Sequence, residues 1–251
     1  MKLPFSLDGG AAGKAALGLI VLQMDETLEA ELRTVFTQPG VALFHTRIPS
    51  GEEISSATLK QMEKELPAVS GLLPATHPLD VVGYGCTSGA TIIGSDKIAA
   101  LVNQVHPDAK VTDPITAVIA ALEHFDVAKI GFITPYVAEV SVAMRDLLSQ
   151  NGISVSGVAS FEQSQDPVVA RISPASILEA IIAIGGDDNI DAVFVSCTNL
   201  RCFDIIEQAE DKIGKPVISS NQALAWHMLK LAGLPTKSMG PGKLFARAFT
   251  V

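Results

Sequence analysis

The chain has 251 residues, enough to bury a sizeable core in one large α/β domain or in two smaller lobes packed together. Apolar residues make up 48% of it and charged residues 18%, which excludes a disordered chain; the 5% aromatic content, with abundant Ala, Val, Ile and Gly, suits buried parallel strands alternating with helices. A net charge of -9 leaves no basic surface for phosphate, so neither nucleic acid nor an anionic membrane is expected as a partner.

Near the start of the chain Asp8, Gly9 and Gly10 interrupt any apolar segment before it reaches the length of a secretory leader. Apolar runs of strand length then alternate with segments of helical period. In chain order, strand 17–22 precedes helix 27–36, strand 41–48 precedes helix 57–66, and strand 79–84 precedes helices 90–105 and 115–125. Strand 128–133 precedes helix 138–150, strand 153–158 helix 174–184, strand 191–196 helix 203–213, and strand 216–219 helix 222–231. Asn151-Gly152 ends one helix, and Ser173-Pro174 starts the next with a capping hydroxyl and a proline in the first turn. The longest apolar runs, Ala117 to Leu122 and Ile177 to Ile184, fall short of the roughly 20 residues that cross a bilayer, so a cytoplasmic protein is expected.

An internal repeat sharpens this order. Asp80-Val-Val-Gly-Tyr-Gly-Cys86-Thr87-Ser88 resembles Asp191-Ala-Val-Phe-Val-Ser-Cys197-Thr198-Asn199, 111 residues later, and Gly18 to Gln23 resembles Gly131 to Tyr136 at a spacing of 113. Two pairs at nearly one offset predict an α/β fold of two similar lobes, each a parallel sheet flanked by helices. The lobes are expected to be related by a pseudo-two-fold, with the active site between them. The first is expected to hold residues 1–113 plus 222–251 and the second 114–221, because the closing helix and the Pro241-Gly242-Lys243-Leu244-Phe245 tail have no counterpart in a second repeat.

Each repeat then places a cysteine at the carboxyl end of a strand, where open α/β sheets bind their ligands. Backbone N–H groups there favour negative charge, so a lowered thiol pKa is expected at Cys86 and Cys197. Thr87, Ser88, Thr198 and Asn199 are poor core material and good material for holding a substrate carboxylate. Cys202 lacks that setting and reads as packing. Three cysteines form no disulfide framework, and the five scattered histidines have no metal-ligand spacing, so no metal is expected. Two thiols facing one small acid allow proton removal on one side and delivery on the other, or thiolate addition to a double bond with rotation and expulsion. A two-lobed protein that binds an acid without turning it over is the rival reading.

These motifs resemble the aspartate/glutamate racemase superfamily, in the branch that holds maleate cis-trans isomerase and arylmalonate decarboxylase. The likeness rests on Gly85-Cys86-Thr87-Ser88, Thr134-Pro135-Tyr136, Ser196-Cys197-Thr198-Asn199 and Pro241 to Phe245. It implies that Cys86 is the nucleophile or first base, Cys197 the partner acid or base, and Tyr136 a hydroxyl donor to a substrate carboxylate, with no cofactor. Arylmalonate decarboxylases typically keep only the second cysteine, so the presence of both speaks against decarboxylation.

Two departures bear on the substrate. Where maleate isomerases carry an asparagine in a run like S-N-T-x-x-E, this chain has Met24-Asp25-Glu26-Thr27-Leu28-Glu29, and a second asparagine expected near Asp166 gives way to Pro167. Asp25 either contacts a substrate bearing an amine or amidine, or caps the first helix. The runs from Val21 to Thr27, Arg47 to Gly51 and Ser219 to His227 look most like the ectoine-utilisation members of the branch, which implies a nitrogen-bearing carboxylate. A homo-oligomer is expected, as for many cytosolic α/β enzymes.

Overall fold

Ala15 to Leu22 are buried along their whole length, as a strand covered on both faces must be, and they form the central β1 (Ala15–Leu22) of the first sheet. In this computed structural model, which describes residues 1–247, β2 (Val41–Ile48), β3 (Val81–Gly85) and β4 (Lys110–Thr112) complete the sheet in the order β2-β1-β3-β4. Residues 248–251, the end of the expected first lobe, lie outside the described part. β5 (Lys129–Tyr136), β6 (Ser154–Gln163), β7 (Ala192–Val195) and β8 (Val217–Ser219) build a second sheet in the order β6-β5-β7-β8. Every pairing is parallel, and the two orders are the same when the second set is renumbered from its first strand. The duplicated sequence is therefore a duplicated fold: β1 matches β5, and β3 and β7 are the strands that run into Cys86 and Cys197.

The connecting helices are α1 (Leu28–Leu32), α2 (Ser56–Ser70), α3 (Thr87–Ile93), α4 (Ser95–Val102), α5 (Pro114–Phe125) and α6 (Ala138–Gln150). They continue with α7 (Asp166–Val169), α8 (Pro174–Gly185), α9 (Phe203–Ile213), α10 (Ser220–Leu231) and α11 (Gly242–Ala246). Local chemistry sets several starts. Ser55 caps α2 in a reciprocal box with Thr58, Asp113 accepts from Ile115 and Thr116 ahead of α5, and Ser173 accepts from Ser176 at 3.1 Å with Pro174 in the first turn of α8.

The expected single helix over 90–105 is two, because Gly94 takes φ +94° and turns the chain between α3 and α4. The expected helix 27–36 contracts to the five residues of α1. Three elements were not anticipated: the three-residue β4 and the short α7 and α11.

α10 is buried from Ser220 to Leu229 and lies against β3, β4 and α5. Its approach to β3 depends on Gly83, where a Cβ would stand 2.7 Å from Met228 Sδ. α11, in contrast, packs on α9 and β8, so the C-terminal segment touches both sheets. Among the described residues no helix is long and apolar enough to cross a membrane.

Candidate active site

Cys86 follows β3 directly and is the N-cap residue of α3. Its sulfur takes the place of a capping oxygen: the Gly89 N–H donates to Sγ at 3.1 Å, and the Ser88 hydroxyl lies 3.6 Å away. Glycine at 89 permits this wrap, since a Cβ there would stand 2.5 Å from Tyr84 Oη and 3.0 Å from the sulfur.

Cys197 ends β7 in a different way. Its φ is +149°, in a region that residues with a Cβ avoid, and such strain persists only where surrounding contacts over-determine it. Those contacts are present. The Cys197 N–H donates to Ser220 Oγ at 3.1 Å, Sγ accepts from the Asn199 N–H at 3.3 Å, and the Tyr136 hydroxyl is near enough to the sulfur to favour its thiolate. Ser220 Oγ also accepts from Thr87 Oγ1 at 2.8 Å, and Thr198 Oγ1 lies 3.4 Å from Gly85 O. A serine at the start of α10 thus joins the two cysteine loops.

Cys86, Ser88, Tyr136, Cys197 and Thr198 line one cavity, together with Asp166 and a greasy wall of Leu22, Ile54, Leu59 and Met62. Its free space is about 20 Å³, close to one water molecule. The β2–α2 connection closes it: Ile54 N donates to Ser164 O and Asp166 N to Glu52 O, both at 2.9 Å, around an antiparallel bridge between Glu53 and Gln165. Binding of even a small acid requires these walls to part.

The remaining expected site residues stand behind that wall. The Thr87 hydroxyl is spent on Ser220. Asn199 accepts from Glu26 N at 2.9 Å and donates to Met24 O, Asp166 O and Asp166 Oδ1 at 3.2 to 3.4 Å, so its amide ties the β1–α1 connection to α7. Asp25 Oδ1 accepts from the Thr27 and Leu28 N–H groups, each at 2.8 Å, in the turn ahead of α1, whose N-cap residue is Thr27. Its buried Oδ2 has no hydrogen-bond partner of good geometry, although the Thr198 hydroxyl is near enough to favour the anion.

The expected lowering of the thiol pKa values is corrected by the structure. Burial pushes the Cys86 thiol up to about 12, against the weaker opposing help of Ser88 and the Gly89 N–H, and the carboxyls of Asp166 and Asp25 raise it further. Cys197 is also raised, by burial first and Asp166 second. Backbone N–H groups do reach both sulfurs, but at buried positions beside a small cavity with no cation on its wall among the described residues the cost of desolvating a thiolate wins. The acids respond in the same way: burial raises Asp166 to about 6 and Glu31 to about 7.

A family model described as arylmalonate decarboxylase matches residues 79–245, a span that contains both cysteine loops, the cavity's tyrosine and the whole second sheet. The chain belongs to this family. Within it, a maleate isomerase from Alcaligenes faecalis is 27% identical over 176 residues, covering 67% of this chain and 69% of that protein. An arylmalonate decarboxylase from Bordetella bronchiseptica is 28% identical over 132 residues, 52% of this chain and 55% of its own length. Among solved structures, a Nocardia farcinica maleate cis-trans isomerase mutant with a covalently bound succinylcysteine intermediate superposes with a TM-score of 0.84 at 21% identity, covering 92% of this chain and 98% of that one. The family fold of two parallel sheets is thus shared across nearly the full chain.

Four polar residues of the site went unnoticed in the sequence. Asp166 is on the cavity wall itself, one position before the Pro167 that drew attention. Glu31 accepts from Cys202 N at 2.6 Å, Phe203 N at 2.9 Å and Asn221 Nδ2 at 2.7 Å, and Asn221 Nδ2 also donates to Thr198 O at 2.8 Å. With Ser220 these residues brace the Cys197 loop from behind. The one local signal for them was the Ser219-to-Gln222 capping box that starts α10.

Proposed function

We propose that this family member is a cofactor-independent isomerase or racemase of a small carboxylic acid that works through Cys86 and Cys197. The observation that carries the reading is the placement of two thiols, from equivalent strand ends of a duplicated fold, on the wall of one small cavity beside the Tyr136 hydroxyl. The reactive form of the pair holds one proton. In racemisation the thiolate takes the proton next to the substrate carboxylate, the C–H electron pair moves into the carboxylate as an enediolate, and the opposite S–H returns a proton to the other face. In cis-trans isomerisation the thiolate adds to one alkene carbon, the π pair moves toward the carboxylate, rotation follows, and the C–S bond breaks as the double bond re-forms.

The covalently bound succinylcysteine described for the Nocardia maleate isomerase supports thiolate addition as a chemistry of this fold. The likeness of residues 21–27, 47–51 and 219–227 to ectoine-utilisation proteins supports a zwitterionic, amidine-bearing acid and inversion at a stereocentre. Decarboxylation of an arylmalonate is the second reading, favoured by the family model; it predicts carbon dioxide release and tolerance of replacement at Cys86.

A turnover screen over maleate, aspartate, hydantoins, arylmalonates and ectoine derivatives in D2O, with chiral detection, tests these readings. Deuterium gained beside the carboxylate marks racemisation, and alkene geometry changed without deuterium marks reversible addition. If Cys86→Ala and Cys197→Ala both retain full turnover on the active substrate, the two-thiol mechanism is wrong.

A further inference from the structure

Asp166 opens α7 on the wall of the cavity and is 5% exposed. Oδ1 accepts from Asn199 Nδ2 at 3.2 Å and the backbone N–H is spent on Glu52 O at 2.9 Å, while Oδ2 makes no hydrogen bond among the described residues. Among the described residues no lysine, arginine or histidine lines the cavity. The arginines on its flanks are engaged elsewhere: Arg47 with Leu22 O, Gln23 O, Asp25 O and Glu29, Arg171 with Glu26 and Pro167 O. Five hydroxyls, those of Ser50, Thr58, Ser88, Tyr136 and Thr198, share the wall and can serve a substrate carboxylate, and the second carboxylate there, Glu53, is exposed, where water and salt screen its charge.

The wall is therefore divided. One part offers hydroxyls to a carboxylate, and the other offers a buried carboxyl whose second oxygen lacks a donor. A carboxylate oxygen that opens on the cavity without a donor disfavours any ligand group that brings a second negative charge, and favours one that brings an N–H.

We infer that Asp166 is the specificity-determining residue that selects substrates carrying a cationic or N–H-bearing nitrogen a short carbon chain away from the carboxylate, and that it rejects dicarboxylates. This rests on the reading above that the cavity takes a small carboxylic acid, and adds to it the residue that distinguishes one class of acid from another. The carboxyl of Asp166, raised to about 6 by burial, with Asp25 and Glu26 adding to the rise and Asn199 opposing it, is ionised at pH 8. Asp25 is the weaker candidate for this role, since its Oδ1 is taken by two backbone N–H groups and it is absent from the cavity wall.

β-Alanine and succinate form a matched pair of probes: the same two-carbon chain and carboxylate, with an ammonium in one where the other has a second carboxylate. Neither has a stereocentre or a carbon–carbon double bond, so binding is read without net turnover. Titration calorimetry on the full chain at pH 8 is expected to show β-alanine bound at least about tenfold tighter than succinate. The isosteric Asp166→Asn, which keeps an oxygen for Asn199, should shrink that ratio by about tenfold or reverse it.

Equal ratios in the wild type and D166N overturn the inference, as does wild-type preference for succinate or a failure to bind β-alanine. A wild-type preference for succinate overturns the inference even if D166N folds poorly. A ratio that fails while the cysteine variants still lose turnover removes the Asp166 assignment alone. A ratio that holds in a chain whose cysteine variants stay active supports Asp166 and removes the two-thiol mechanism.

Discussion

The Cys86 and Cys197 loops occupy equivalent places in the two sheets, yet they are built by different means. At Cys86 the chain turns straight into a helix in ordinary extended geometry, φ -150°, and the sulfur is held by its own loop through Ser88 and Gly89. At Cys197 no helix follows until Phe203 and φ is +149°; its own loop gives the sulfur the Asn199 N–H, and the rest of the support comes from outside, from Tyr136, Ser220 and, through Asn221 and Thr198, Glu31. Duplication conserved where the thiols sit, while the means of holding them diverged. The Cys86 sulfur is held by local sequence, and Cys197 by its own loop together with tertiary contacts.

The largest test of the comparison is removal of each thiol. If both act on one substrate, Cys86→Ala and Cys197→Ala should each lower kcat by about 10²-fold to 10⁴-fold, the usual share of a positioned proton donor or acceptor. A decarboxylase would separate them, keeping activity in Cys86→Ala and losing it in Cys197→Ala. Steady-state kinetics of the two purified variants on the same substrate decides.

The tertiary brace of the Cys197 loop has a pH signature that the Cys86 loop lacks. Burial raises Glu31 from 4.5 to about 7, so the folded chain holds a proton that the unfolded chain has released across that interval. Stability should therefore fall as pH rises from about 4.5 to about 7 and level off above, by about 3 kcal/mol in all. Urea unfolding of wild type and Glu31→Gln at pH 5 and pH 8 checks this, since the variant should lose that part of the slope. Asp166, raised to about 6, slopes the same way and remains in both proteins, so the difference between them isolates Glu31.

The same division explains what the sequence disclosed. The βα alternation, the repeat and the two cysteine strand-ends were legible because each is a run of consecutive residues with its own period or spacing. β4 was not, since Lys110–Thr112 is a strand only by virtue of pairing with β3. The break between α3 and α4 had one marker, Gly94, inside a pattern that is otherwise helical. Asp166, Glu31, Ser220 and Asn221 were hidden for a stronger reason: their roles depend on partners up to 190 residues away, and no local signal identifies such a partner. The raised thiol pKa values are not legible either, because strand-end N–H groups are visible in a sequence and the burial of the sulfurs is not.

A middle-sized effect is expected at position 89, where the two loops can be compared residue for residue. The counterpart of Gly89, three residues after the second cysteine, is Leu200, buried at 1% exposure and accommodated because no helix begins there. In the Cys86 loop even a methyl group would meet Tyr84 Oη at 2.5 Å and the sulfur at 3.0 Å. Gly89→Ala should destabilise the fold by about 1–3 kcal/mol through overpacking and lower turnover by displacing Cys86. Leu200→Ala should leave a cavity at a comparable stability cost without moving its cysteine. Equal losses of kcat in the two variants would show that the Cys86 loop is no more locally constrained than its counterpart.

The smallest effect should come from the third thiol. Cys202 is 1% exposed at the start of α9, and its backbone N–H, not its sulfur, makes the contact that matters, donating to Glu31 Oε1 at 2.6 Å. Cys202→Ala keeps that N–H and removes a sulfur that contributes packing alone, so stability should drop by about 1 kcal/mol, near the lower end of large-to-small substitutions. Its kcat should match wild type. Were Cys202→Ala to lose activity as the other two cysteine variants do, the brace behind Cys197 would have to transmit a change in packing to the reacting sulfur, and the separation of a holding layer from a reacting layer in this loop would fail.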